Sequence, residues 1–444
     1  MAAIIGTTRE RATTPWPSAA VVFLGAWLLT TPTIFDPQDS ALAISDAASG
    51  ALILLFGIWS LSPAGNVPAR WAASAVGGWL LLAPLVFWAP TAFSYANDTL
   101  VGILVIAFTV LVPGVPGHAH QAIVRQPGPD IPPGWTYNPS SWSQRGPIIA
   151  LAFLSFLIGR YMAAYQLGHI SSVWEPFFSP GTKAVLTSDV SNAFPVPDAG
   201  LGAVSYLLEG LSGFMGGTAR WRTLPWMVVL FAIMIVPLGV VSITLVVLQP
   251  VVVGAWCTPC LLTALIMLIM IPLALDEVFA TAQFLRRTKR AGLPVWRTFW
   301  IGGAIDEGAS SDSGTSPDVG LNIARQLVTI PRVPWTLVAS TLIGFWLMAS
   351  PGIFGIEGVL ANSTHIAGPL AAVVAATAMA EVGRPVRYLN VFVGLWVVLA
   401  PFLIAGGTVA FTISAVTAGA LLMVLSFPRG EVRDTYGGWQ PFIV

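Results

Sequence analysis

The chain has 444 residues, 55% hydrophobic and only 9% charged, with 20 basic and 20 acidic side chains and a mean hydropathy of +0.78. Ordinary soluble domains carry about 25% charged residues, so this composition excludes a soluble globular protein. It points instead to runs long and apolar enough to span a bilayer, while the zero net charge says nothing about partners.

Residues 1–15 lack the apolar core of a cleavable signal, so the first span is expected to stay attached. Twelve spans are predicted, at 16–35, 43–63, 69–89, 97–114, 147–167, 199–216, 225–248, 252–275, 335–354, 365–381, 387–405 and 409–426. The first four make a unit at 16–114 and carry the pattern Gly-x-Trp-x4-Pro twice, as Gly25/Trp27/Pro32 and Gly77/Trp79/Pro84. The last four make a unit at 335–427 with Gly344/Trp346/Pro351 and Gly394/Trp396/Pro401. Each tryptophan is followed on the returning helix by a glycine: Gly50, Gly102, Gly368 and Gly419. The repeat is thus a two-helix hairpin of about 50 residues. Trp is expected at the membrane interface, Pro at the helix exit, and Gly where the two backbones approach. Few polar residues are expected at mid-membrane in these repeats. The pattern resembles the SPW-repeat membrane domain. Ser350-Pro351 keeps two letters of that signature, with Gly352 in place of its Trp. The resemblance brings no defined activity and fits a helix-packing scaffold.

Two linkers, 115–146 and 286–333, separate these units from the centre, and their composition is not expected to bury a core. The second opens with Arg286, Arg287, Lys289 and Arg290, read as a stop-transfer cluster touching anionic lipid, not a nucleic-acid site. It continues through the polar run from Asp306 to Gly314.

The centre carries the chemistry. Trp256-Cys257-Thr258-Pro259-Cys260 opens the eighth span, and the chain has no other cysteine. Two thiols so spaced at a helix start suit thiol–disulfide exchange, because unpaired backbone N–H groups there stabilise thiolate. Two inert apolar cysteines are the alternative, and two soft ligands without a nearby His argue against a metal. The four histidines form no recognisable relay: His118 and His120 lie in a linker, His169 in a loop and His365 at a span start.

The region 147–280 resembles the vitamin K epoxide reductase family. The resemblance rests on Trp256 to Ala264, on Thr187-Ser188-Asp189-Val190-Ser191, on Phe194-Pro195, and on Gly200-Leu201-Gly202 with Tyr206. It implies a four-helix bundle around a lipid-soluble quinone of the menaquinone or ubiquinone type. Cys257 and Cys260 carry over as the redox pair, with Cys260 nearest the quinone, and Ser191 and Phe194 match a cap over the pocket. Trp256 and Tyr206 are expected to line it. The family's loop cysteine pair is missing: 168–198 has none, and Thr187 stands where one is expected. An external thioredoxin-like or other thiol protein would then reduce the pair directly. Vitamin K epoxide itself is not the expected substrate.

Arg160 and Glu209 lie inside spans five and six at depths differing by about 5 Å at helical rise. They are expected to pair near the pocket, since intramembrane charges are costly unless partnered. The basic residues Arg9, Arg11, Arg70, Arg125, Arg145, Arg220, Arg222, Arg384, Arg429 and Arg433 fall on one side of a twelve-span topology, and Lys183 on the other. The positive-inside rule then puts both termini in the cytoplasm and the cysteines outside, in a bacterial inner or plasma membrane. The expectation is an all-α, multi-pass protein with about twelve transmembrane helices, a central four-helix bundle lying between two repeat-containing units. Its expected role is quinone-linked thiol oxidation. A non-enzymatic scaffold with a degenerate bundle is the main alternative, and a transporter a third.

Overall fold

The computed structural model describes residues 16–34, 41–117, 130–303 and 333–443. Arg9, Arg11, Arg125, His118, His120 and the run Asp306 to Gly314 lie outside the described residues. Those described form an all-helical, multi-pass membrane protein; eleven helices are long and apolar enough to cross a bilayer. The predicted sixth span is also a helix but only 17 residues long, Asp198–Phe214.

The chain divides into two compact units, 1–121 and 122–444. In the first, α1 (Trp16–Ile34), α2 (Ala41–Trp59), α3 (Asn66–Val86) and α4 (Ala92–Ile106) form two hairpins around Leu28, Ile53, Leu80 and Val105. A π-helical turn, Ala107–Leu111, extends α4. The repeat glycines face each other: a Cβ on Gly50 would lie 3.0 Å from the Gly25 carbonyl oxygen, and one on Gly102 2.7 Å from that of Gly77. Absent side chains let the backbones touch, as small residues do in membrane helix pairs. Pro32 and Pro84 sit in the last turns of α1 and α3, where few helical bonds remain to lose.

The repeat tryptophans also join the two hairpins. Their rings are part-exposed, but each indole N–H is satisfied inside the protein, by the other hairpin. Trp27 donates to Asn97 Oδ1 (3.0 Å) and Trp79 to Ser45 Oγ (2.9 Å). The interior is also more polar than expected, with Asp46, Ser49, Asn97 and Asp98 all buried.

The second unit holds the centre and the C-terminal repeats. The centre comprises α5 (Trp142–Gln166), α6 (Gly181–Leu186), α7 (Asp189–Asn192), α8 (Asp198–Phe214), α9 (Arg220–Thr223), α10 (Pro225–Leu248), α11 (Thr258–Arg290) and α12 (Val295–Ile301). Then follow α13 (Trp335–Phe354), α14 (Gly358–Thr377), α15 (Leu389–Leu403) and α16 (Val409–Ser426). The repeat geometry recurs here: Gly344 meets Gly368 and Gly394 meets Gly419, each Cβ–carbonyl approach being under 3 Å. Trp346 donates to Ser414 Oγ (3.0 Å) and Trp396 to Ser363 Oγ (2.8 Å). Helix α14 starts seven residues before the predicted span. Asn362 to Thr364 are expected to precede that span and His365 to open it, yet Thr364 and His365 are buried well inside the helix.

Several basic residues counted for topology are caps. The end of α8 leaves carbonyls without helical partners. Arg145 donates to Gly213 O (2.9 Å) and Met215 O (3.1 Å), and Arg220 to Ser212 O (3.0 Å). Arg220 also forms a buried ion pair with Glu277, which accepts a hydrogen bond from Ser140 as well. Arg70 donates to Thr109 O (2.8 Å) and Arg387 to Ser426 O (3.1 Å) at the ends of two repeat helices.

The first linker is not wholly coil-like. Residues 130–141 pack against the lower part of α11 together with the tail 431–443. Trp135 and Tyr436 form an isolated antiparallel bridge and an edge-on ring pair at 5.0 Å. Gln283 of α11 accepts from Trp135 Nε1 (3.2 Å) and from the Gly438 N–H (2.9 Å), and donates to Pro133 O (2.9 Å). Aromatic burial overrides the polar composition that predicted no core here.

Candidate functional site

The cysteines open α11. Cys257 is the N-cap, with extended backbone, and its Sγ accepts from the Cys260 N–H at 3.2 Å. Pro259 sits in the first turn, where a missing N–H costs nothing. The two sulfurs are joined, 2.10 Å apart. The approach to Cys257 is shaped by a π-helical turn, Gln249–Val253, which Gly254 ends at φ +71°, a conformation suited to glycine. The buried Gln249 side chain then accepts from the Cys257 N–H at 2.9 Å.

A lid covers this helix start. The segment between α5 and α8 carries α6 and α7, and it places Leu186 with Met162 against Cys257. Cys257 is 0% exposed, whereas Cys260 is only part-buried, its Sγ 3.7 Å from Met162 Sδ. Contact between lid and helix start is direct: a Cβ on Gly181 would lie 2.0 Å from the Trp256 carbonyl oxygen.

Glu175 fastens the lid. Its carboxylate accepts from the Thr258 N–H at 2.9 Å and from the Phe177 and Phe178 N–H groups at 3.1 Å, and also from the hydroxyls of Thr182 and Thr258. Burial pushes this carboxyl up, but the bonds from Thr182, Thr258 and Phe178 outweigh it and hold the pKa at about 2. The carboxylate thus bridges the lid and the first N–H of α11, where negative charge is favoured.

Beneath the lid is a cavity of about 260 Å³ between α5, α8, α10 and α11. Cys260, Met162, Tyr206, Ser191 and Phe194 are on its wall. Its roof is polar. Ser191 Oγ donates to Asp198 Oδ1 (2.7 Å), and Gln166 Nε2 donates to Asp198 Oδ1 (2.5 Å) and Ser191 Oγ (2.7 Å). Tyr206 lies beside Ser242 and Thr263. The disulfide thus has one sulfur on a small, mainly apolar chamber and the other sealed beneath a lid.

Residues 147–275 match the model of the vitamin K epoxide reductase family. Residues 15–112 and 334–428 match that of the SPW repeat domain. The chain carries a vitamin K epoxide reductase family domain flanked by SPW repeat domains. No curated protein and no solved structure matches it.

Within the reductase-family domain, the residues singled out from sequence divide into two groups. Cys260, Ser191, Phe194 and Tyr206 meet at the cavity. Trp256, Arg160 and Glu209 are not on its wall. Trp256 points toward the C-terminal SPW repeat domain, edge-on to His365 of α14 at 5.6 Å. This gives His365 a neighbour that its place in sequence did not foretell. The Arg160–Glu209 pairing is not formed: both Glu209 carboxylate oxygens are buried without a hydrogen-bond partner. Similar depth was a poor guide because azimuth decides. Helices α5 and α8 touch through Gly159 against Ala203 and through Gly210 against Phe153. Arg160 and Glu209 each sit one residue away from that seam, turned by about 100°. Glu175, Gln166, Asp198 and Gln249 were missed. Each is a single polar residue at the edge of an apolar or aromatic run, with no motif spacing to mark it. Thr187 is exposed; its hydroxyl donates to Lys183 O (2.9 Å) and its carbonyl accepts from Asn192 Nδ2 (3.4 Å).

Proposed function

We propose that this protein is a quinone-linked membrane thiol–disulfide oxidoreductase. The observation that supports it most is the placing of Cys260 on the cavity wall while Cys257 caps the helix behind it. A dry cavity of about 150 Å³ is enough for benzene, so one of about 260 Å³ admits a quinone ring. Cys260, Met162 and Phe194 offer soft and apolar contacts, and the hydroxyls of Tyr206 and Ser242 offer hydrogen bonds to ring oxygens. A bound quinone would take two electrons and two protons from the dithiol, leaving the disulfide. The chain's own part is to hold Cys260 at the chamber and keep water out with the lid. It also stabilises thiolate at Cys257 through the helix N-terminus.

The domain has no second cysteine pair, so electrons must come from another thiol protein. That protein's dithiol attacks the Cys257–Cys260 disulfide, leaves as a disulfide, and returns both cysteines to thiols. Cys257 is the proposed point of attack, which requires the lid, through Gly181 and Glu175, to lift from Trp256 and Thr258. The lid end is proposed to face the oxidising side of a bacterial inner or plasma membrane, with both termini in the cytoplasm. Thiol trapping in native membranes tests the reading. Reduced Cys257 and Cys260 should become oxidised when quinone is added, and Cys260→Ser should abolish the response. Thiols that ignore quinone in folded protein would instead identify a scaffold that retains the bundle without the reaction.

A further inference from the structure

A second cavity, of about 670 Å³, lies between the reductase-family domain and the C-terminal SPW repeat domain. Helices α10 and α11 form one wall, through Gly239, Ile243, Leu261 and Leu268. Helices α13 and α14 form the other, through Phe345, Met348, Gly352 and Ala372. Among the described residues, Ser242 is the one hydroxyl on a lining otherwise built from apolar and aromatic side chains and glycines, and no charged residue borders it. A phosphate or other polar headgroup finds no partner there, and an apolar chain does. Three residues, Ser242, Val246 and Ala264, border both this chamber and the one beside Cys260. Ser242 and Val246 are four apart on α10, so they make one stripe of that helix. The two chambers are therefore back to back across one seam.

We propose that this second chamber is the binding site for the polyprenyl tail of the quinone whose ring sits beside Cys260, and that the C-terminal SPW repeat domain supplies its outer wall. The proposal rests on the quinone reading above. It gives the repeat domain a part in substrate selection: long-tailed quinones are held by α13 and α14, tailless ones are not. An acyl chain of a bulk phospholipid is the competing occupant, and the shared seam with the cysteine chamber favours the quinone.

Two glycines allow the chamber to be filled without disturbing the backbone. A Cβ at Gly352 meets nothing within 4 Å, and one at Gly239 meets only Ile271 Cδ1 at 3.8 Å. Gly352→Phe fills it from the repeat wall and Gly239→Phe from the reductase wall. The full-length protein, with Cys257 and Cys260 reduced, is mixed with a tailless methylnaphthoquinone or with its polyprenyl counterpart, and disulfide formation is followed by thiol trapping. Each variant should raise the half-saturating concentration of the polyprenyl quinone about tenfold, the loss of roughly two buried methylenes. The response to the tailless quinone should stay at the wild-type level, which also shows that the variant is folded. Unchanged kinetics with both quinones would overturn the tail site, leave the ring site standing and point to a bulk-lipid chain in the chamber. Equal loss with both would overturn it as well. If neither quinone oxidises the wild-type cysteines, the quinone reading fails and the tail site fails with it.

Discussion

At the scale of single residues, the cysteine pair was legible because its chemistry is written in two letters and a spacing. Its controls were not. Glu175 is one acid among Trp174, Phe177 and Phe178, and only the folded lid brings Thr258 and Thr182 to it. Because its pKa is lowered from 4.5 to about 2, the lid gains stability that is fully present above pH 4.5 and is lost as pH falls toward 2. Glu175→Gln should let a water-soluble phosphine reduce the Cys257–Cys260 disulfide about tenfold faster at pH 7, the effect of losing charge-assisted hydrogen bonds. The wild-type rate should climb toward that of the variant as pH drops below 4.5. Equal rates at pH 7 would show that Glu175 does not hold the lid. Gly181→Ala should loosen the lid too, because its methyl would meet the Trp256 carbonyl.

Among the elements, the hairpin repeat was the most legible feature, and its glycines meet as the spacing implied. What spacing did not reveal is the partner of each tryptophan. The acceptor lies five residues before the glycine of the neighbouring hairpin: Asn97 for Trp27, Ser45 for Trp79, Ser414 for Trp346 and Ser363 for Trp396. Those residues look like ordinary polar interruptions until the two hairpins are placed side by side. Gly419→Ala should destabilise the C-terminal pair by about 1–3 kcal/mol, since its Cβ would lie 2.5 Å from the Gly394 carbonyl oxygen. Gly352→Ala, with open space around it, should be neutral. Thermal unfolding of the two variants in one detergent gives the comparison, and equal melting temperatures would refute the close-approach reading. The ion pair of α9 with α11 belongs to this scale. Glu277→Gln leaves the Arg220 guanidinium buried with a neutral partner and should cost about 3 kcal/mol or more, seen as a lowered melting temperature.

Over the whole molecule, hydropathy was enough to find the spans, because twenty apolar residues have few other uses. The joints were harder to read. A run of Pro, Gly and Ser reads as solvated coil, yet Trp135 and Ser140 are 5% and 0% exposed. Burial there depends on Tyr436, Gly438 and Trp439, some three hundred residues away, a separation beyond any local pattern. Arg145 and Arg220 read as loop charges because nothing in their neighbours announces the helix end whose carbonyls they bond. Removing residues 431–444 should therefore expose Trp135 and raise its fluorescence quenching by iodide, with α11 becoming more sensitive to protease near Gln283; unchanged quenching would place the tail elsewhere. The tail also sets an order of assembly. On the ribosome, residues 130–141 and α11 emerge long before residues 431–443, and Gln283 must wait for the Gly438 N–H. The base of the reductase-family domain is thus completed only after the C-terminal repeats have been made, when residues 431–443 reach Gln283. Synthesis halted within the C-terminal repeats would leave a membrane-inserted thiol centre whose foundation is still open.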